Sequence, residues 1–196
     1  YYEFSANYAN TFGLHSVSAL ALMNFQQKNK EIEFPYYNQG VVGRVTYDYA
    51  NKYLAEVNVG YTGSERFAPT NRYGFFPSGA VGWLVSEEEF FKNIFPWFNK
   101  LKIRYSDGLV GSDKAANRWL YISDYITDSR GHIREDKAAN NRAQWEEARK
   151  QDLGIDMGFL NNKIHLAVDL FQEHRTNMLL TPQSVPWLLG IKFKDL

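Results

Sequence analysis

Between Asn38 and Phe90 the residues change character at nearly every step, and that alternation constrains the fold more than any other feature. Val41, Val45, Tyr47 and Tyr49 are interleaved with Arg44, Thr46 and Asp48. After Asn51, Tyr53, Ala55, Val57, Val59 and Tyr61 are interleaved with Leu54, Glu56, Asn58 and Thr62. Successive side chains of a strand point to opposite faces, so a period of two gives one apolar and one polar face. Two such runs joined by a few residues predict an antiparallel hairpin, and Val and Tyr suit strands. Phe75 to Val85 continues the pattern, with Pro77, Gly79, Val81, Trp83 and Val85 against Ser78, Ala80 and Gly82. Pro77 has no N–H to give a ladder, so it marks a bulge or the end of a pairing run.

The same reading extends over the chain and predicts strands near 1–8, 12–24, 40–49, 53–62, 75–85, 100–107, 147–160 and 163–176. A short turn is expected at Ala9–Thr11, and the phase of Leu14–Met23 is ambiguous. Gln26–Glu33 reads as a polar loop closed by Pro35. Ser86 and Glu89 have the spacing of a capping box, so a short helix through Phe90, Phe91 and Ile94 is expected, ended by Pro96. Asn161-Asn162 supplies the left-handed conformations of a tight turn. Leu109 to about Gln144 is the largest loop. The chain begins at Tyr1, without Met or signal peptide and inside a strand pattern, so a piece of something longer is expected.

The connections alternate in size. Links at 9–11, 50–52, 86–99 and 161–162 fall at one end of the strands, and loops at 25–38, 63–72 and 109–145 at the other. Outer-membrane barrels have this asymmetry, and Tyr47, Tyr49, Tyr53 and Trp83 gather at the short-turn end, where an interfacial girdle belongs. From residue 41 onward no charge is expected on the apolar face, as lipid contact would require. A soluble β-sandwich also alternates, with its apolar face inward, and periodicity alone leaves both folds open.

Composition excludes other classes. Formal net charge is zero and the pI about 7.1, so there is no nucleic-acid footprint. Cysteine is absent, which removes disulfides and thiolate metal sites. A mean hydropathy of −0.46 does not exclude a barrel, because only alternate residues face lipid.

Several blocks in order carry a family resemblance: Asn51-Lys52-Tyr53-Leu54, Gly63-Ser64-Glu65-Arg66-Phe67-Ala68, Asn71-Arg72-Tyr73-Gly74-Phe75-Phe76-Pro77-Ser78, Gly82-Trp83 and Ser86-Glu87-Glu88. Leu101–Ser106 with Gly108 and Gly111, Trp145-Glu146 with Gln151 and Gly154-Ile155-Asp156, and Phe171 with Arg175–Leu180 extend it over about 40–111 and 145–180. This pattern resembles the SusC/RagA family, TonB-dependent transporters of the Bacteroidetes outer membrane. The resemblance implies an all-β, antiparallel up-and-down transmembrane barrel segment, about eight strands of a barrel that is twenty-two-stranded in the family. It also implies glycan or peptide import, a SusD-like surface lipoprotein as lid, and energy from TonB. The family's plug domain, TonB-contacting segment and N-terminal extension have no counterpart in these 196 residues, and the tail after Thr181, with Pro182 and Pro186, departs from the pattern. Transport by this chain alone is not expected. The alternative is a soluble β-sheet carbohydrate-binding module.

No nucleophile, metal or phosphate motif is present, so no enzyme activity and no cofactor are expected. His15, His132, His165 and His174 lie apart without ligand spacing, and Glu87, Glu88 and Glu89 read as a helix start. Arg44, Asp48, Glu56, Lys102, Arg104, Asp152, Asp156 and Asp169 are the expected lumen-facing polar residues, which would line a substrate path, touch a plug or pair with one another. Trp119, Tyr121 and Tyr125 in the long loop are candidates for stacking on sugar rings or meeting a lid, because aromatic faces combine apolar area with a polar handle.

Overall fold

The computed structural model describes residues 1–28, 35–95, 97–114, 118–161, 163–179 and the backbone of 192–193. Eight long strands form one antiparallel sheet: β1 (Tyr2–Phe12), β2 (His15–Lys28), β3 (Tyr36–Tyr49), β4 (Tyr53–Ser64), β5 (Tyr73–Leu84), β6 (Phe98–Ser112), β9 (Glu146–Phe159) and β10 (Ile164–Thr176). They pair in the order β1-β2-β3-β4-β5-β6-β9-β10, a meander interrupted only between β6 and β9. There β7 (Asp124–Thr127) and β8 (Ile133–Ala138) form a small hairpin, to which β11 (Lys192–Phe193) adds a parallel strand. The expected long loop therefore contains structure of its own.

Turn chemistry sets the hairpin registers. β1 and β2 close through Gly13-Leu14 rather than at Ala9–Thr11, because Gly13 takes the left-handed region (φ 63°) at the first turn position. Asn10 and Thr11 remain in the ladder opposite Val17 and Ser16. Between β3 and β4, Ala50 and Asn51 both have positive φ, the Lys52 N–H donates to the Tyr49 carbonyl at 2.9 Å, and the Asp48 carboxylate accepts from the Asn51 N–H at 2.7 Å. At the β9–β10 turn the left-handed pair is Leu160 and Asn161, one residue earlier than expected; Asn162 lies outside the described residues. Pro77 keeps its place opposite Val59 without a register shift, and the β5–β6 pairing stops at Ser78, so it ends a pairing run rather than making a bulge.

The helical link is present without the expected capping box. Val85–Glu87 form a 3₁₀ turn, and α1 (Glu89–Ile94) has Glu88 at its N-cap with no side-chain cap. Ser86 sits inside the 3₁₀ turn and is buried, too early to cap α1. Pro96, residues 29–34 and the prolines of the tail lie outside the described residues. Among the described residues no helix is long and apolar enough to cross a membrane.

Cross-strand partners share a face, and the register makes one apolar face continuous. Tyr47, Ala55, Val81, Tyr105, Leu153 and Leu170 form a single row over six strands. This face is open: Val57 and Val81 are 57% and 58% exposed. The buried apolar cluster, Phe67, Leu120, Ala143 and Trp145 with Phe76 and Leu179 against it, lies among the long loops, not beneath the sheet. A sandwich would bury the alternating face against a second sheet. Here the sheet leaves it exposed.

Candidate functional site: the polar face and its long-loop mouth

The opposite face gathers the charges that alternation assigned to it. Arg44 donates to Glu56 at 2.7 Å. Arg104 is the centre of a larger group, donating to Asp152 at 2.8 Å and to Asp169, with Asp156 at 3.4 Å. Glycine makes that arrangement possible. Arg104 pairs with Gly154, which pairs in turn with Asp169, so the guanidinium crosses Gly154 to reach the carboxylate. A Cβ at Gly154 would stand 2.4 Å from Arg104 Cζ and 2.7 Å from Asp169 Oδ1. Lys102 is the cross-strand partner of Asp156 and has no ion pair among the described residues. Asp48 does not join the group, since its carboxylate accepts from the Asn51 N–H in the turn.

At the long-loop end a second network was not expected from the sequence. The Asp113 carboxylate accepts from the Tyr36 and Ser64 hydroxyls, both at 2.7 Å, and Arg66 donates to the Asp113 carbonyl at 2.9 Å. Ser64 is fully buried. Arg118 donates to the Pro35 carbonyl at 3.0 Å and lies over the rings of Tyr36 and Trp119, 5.9 and 4.8 Å from their centroids. The Trp145 indole donates to the Arg72 carbonyl at 3.1 Å while its ring meets Phe67 and Phe76. Three loops are thus joined over the end of the sheet by charge-assisted hydrogen bonds and an aromatic core.

The three candidate aromatics divide. Trp119, at φ 57°, and Tyr121 flank the fully buried Leu120, which anchors them, whereas Tyr125 lies on β7 opposite Glu135 and is 65% exposed. At the short-turn end, Tyr49, Tyr53 and Trp83 stack in sequence with centroids 6.3 and 6.4 Å apart. The polar tips of Tyr53 and Trp83 both donate to Glu88, at 2.7 and 3.3 Å, and Lys52 pairs with the same carboxylate at 3.0 Å. These donors, the Tyr53 hydroxyl first, hold the Glu88 carboxyl below the usual range. The apolar face is not free of charge as expected. Asp107 and Arg149 lie on it, paired through contacts of 3.0 and 2.6 Å, with Gln151 bridging Asp107 to Tyr105. Asp107 lies in the cross-strand row of Val57 and Gly79, and Arg149, opposite Leu109, one step nearer the long-loop end.

An open meander of long strands, apolar outward, with short turns at one end and knitted loops at the other, defines a section of outer-membrane-type β-barrel wall. No protein-family model matches the chain. The TonB-dependent receptor SusC of Bacteroides thetaiotaomicron is 31% identical over 154 residues, covering 74% of this chain and 15% of that protein. The TonB-dependent receptor P3 of Formosa agariphila is 28% identical over 226 residues, covering 94% of this chain and 22% of that protein. The solved structure of the RagAB peptide transporter superposes with a TM-score of 0.83 at 18% identity, over 98% of this chain and 25% of that one. The chain is SusC/RagA-like, a stretch of TonB-dependent transporter β-barrel. It spans a quarter or less of the length of these relatives, which are receptors and transporters rather than enzymes.

Proposed function

We propose that the chain forms part of the wall and outer mouth of an outer-membrane importer that takes up glycan or peptide with energy delivered through TonB. The observation that carries this reading is the division of the sheet into one exposed apolar face and one face of paired charges. Arg44, Glu56, Lys102, Arg104, Asp152, Asp156 and Asp169 then line the aqueous interior, where the pairing of Arg44 with Glu56 and of Arg104 with its three aspartates keeps the wall polar but firm. The joined long loops form the outer rim, and a SusD-like surface lipoprotein seats there. Trp119 and Tyr125 offer aromatic surface to that lid or to the nutrient, with Tyr121 beside them.

The test is the mass and location of the native species. A protein several times heavier than 22.7 kDa, extracted from outer membranes only by detergent and recovered with a surface lipoprotein, is expected. A water-soluble species of this chain's own mass would overturn the reading and favour the carbohydrate-binding module. Trp119→Ala and Tyr125→Ala should lower nutrient uptake while leaving the amount of assembled barrel unchanged.

A further inference from the structure

Helix α1 and the residues after it carry more exposed apolar surface than a periplasmic linker requires. Phe90, Ile94 and Trp97 are 55%, 62% and 54% exposed, and Phe95 is also exposed. At ~100° per residue, Phe90, Ile94, Phe91 and Phe95 share one arc of roughly 140°, with Lys92 and Asn93 on the other side. Phe91 turns inward and meets Phe95 and Phe98, with centroids 5.3 and 5.6 Å away. The rest of the arc is left uncovered among the described residues.

Two observations fix where this arc lies. Trp97 stacks on Phe159 at 5.8 Å and 17°, and Phe159 belongs to the apolar face, in phase with Leu153, Ile155 and Met157. The arc is therefore continuous with the outward surface of the wall. Glu88, the residue before α1, accepts the hydrogen bonds from the Trp83 and Tyr53 tips, so α1 starts at the level of the aromatic girdle. Lys92, on the polar side, pairs with Glu87 at 2.7 Å and leaves no unbalanced charge between the two.

We infer that α1 with Phe95 and Trp97 is an interfacial anchor, lying in the plane of the periplasmic leaflet with Phe90 and Ile94 in the phospholipid headgroup–acyl boundary. A short amphipathic helix gains little from the boundary alone. Tied at both ends to strands already in the bilayer, it needs no binding energy of its own and fixes the depth of β5 and β6. The inference rests on the apolar face being lipid-facing.

The test is collision accessibility of a nitroxide at Ile94→Cys, in the intact protein carrying this chain, reconstituted in phosphatidylethanolamine–phosphatidylglycerol nanodiscs. The chain has no cysteine, so one label per variant is specific once any cysteine elsewhere is replaced. Val81→Cys serves as the lipid reference and Lys92→Cys as the polar side of α1. Collisions with oxygen exceeding those with a water-soluble nickel chelate at Ile94, reversed at Lys92, are expected. Nickel access at Ile94 equal to that at Lys92 would overturn the inference, because the helix then hangs in water. Access to neither reagent would also overturn it, in favour of a covering protein segment. Nickel access at Val81 would overturn the lipid-face reading itself, and the anchor with it.

Discussion

Gly154 gives the sharpest test of the polar face, because two opposing effects can be weighed there. In a strand interior, replacing glycine by alanine stabilises by about 0.5–1 kcal/mol through lower backbone entropy in the unfolded chain. At Gly60, where an added Cβ meets nothing closer than 3.7 Å, that gain should be realised. At Gly154 the same methyl stands 2.4 Å from Arg104 Cζ and 2.6 Å from Nε, so the guanidinium must leave. Its contacts with Asp152, Asp156 and Asp169 are then lost together. Arg104 is 35% exposed and Asp169 44%, so each pair counts only about 0.2–1 kcal/mol after solvent screening. Three such pairs amount to roughly 1–2 kcal/mol, and three neighbouring carboxylates are left to repel one another. The loss outweighs the alanine gain, so Gly154→Ala should destabilise by about 0.5–1 kcal/mol while Gly60→Ala stabilises by a similar amount. Urea unfolding of the intact protein in liposomes, followed by heat-modifiable gel mobility, reads both. A Gly154→Ala protein as stable as Gly60→Ala would refute the placement of Arg104 across Gly154.

The inside–outside assignment is tested by neighbours in β4. Val57→Arg should cost roughly 2–4 kcal/mol at the bilayer midplane and reduce assembly into outer membranes, whereas Asn58→Arg should assemble normally; equal tolerance would put the register wrong by one residue. Trp145→Ala removes the ring against which Phe67 and Phe76 pack, so protease nicking should rise at the long loops without loss of the folded barrel's gel mobility, a local cost of about 3–5 kcal/mol. Glu88 has a lowered carboxyl pKa, so its contribution to stability is present above the ordinary value of 4.5 and lost as pH falls through the folded value. Unfolding midpoints measured down to pH 3 should therefore fall more steeply in the wild type than in Glu88→Gln.

The strands were legible because a half-exposed sheet writes its two faces directly into the sequence. Tyr53 to Tyr61 alternates cleanly for that reason, and the structure pairs it as the alternation requires. β2 was ambiguous for a physical reason too: Leu20 and Leu22 fall on the face opposite Val17, Ala19 and Ala21, so both faces carry apolar side chains. The early end assigned to β1 reflects polar Asn10 and Thr11, which pair in the ladder despite turn-like chemistry. The Arg104 group was readable as charges on one face, but the gap at Gly154 that lets them meet depends on cross-strand register. Asp113 carries no signal in its local sequence, since its partners Tyr36 and Ser64 are 77 and 49 residues away. Residues that carried the family resemblance, such as Ser64, Phe67 and Trp145, prove to be buried struts of the mouth.

The break in the meander bears on how such a mouth can change over generations. β6 and β9 pair without interruption from Lys100 to Ser112 although a whole hairpin is inserted between them. Closing a loop twice as long costs only about 0.6 kcal/mol more. Insertions and deletions at β7–β8 are therefore nearly free for the wall, provided the Leu120 and Trp145 anchors stay. One scaffold can keep its membrane fit while the hairpin is exchanged like a replaceable tool head.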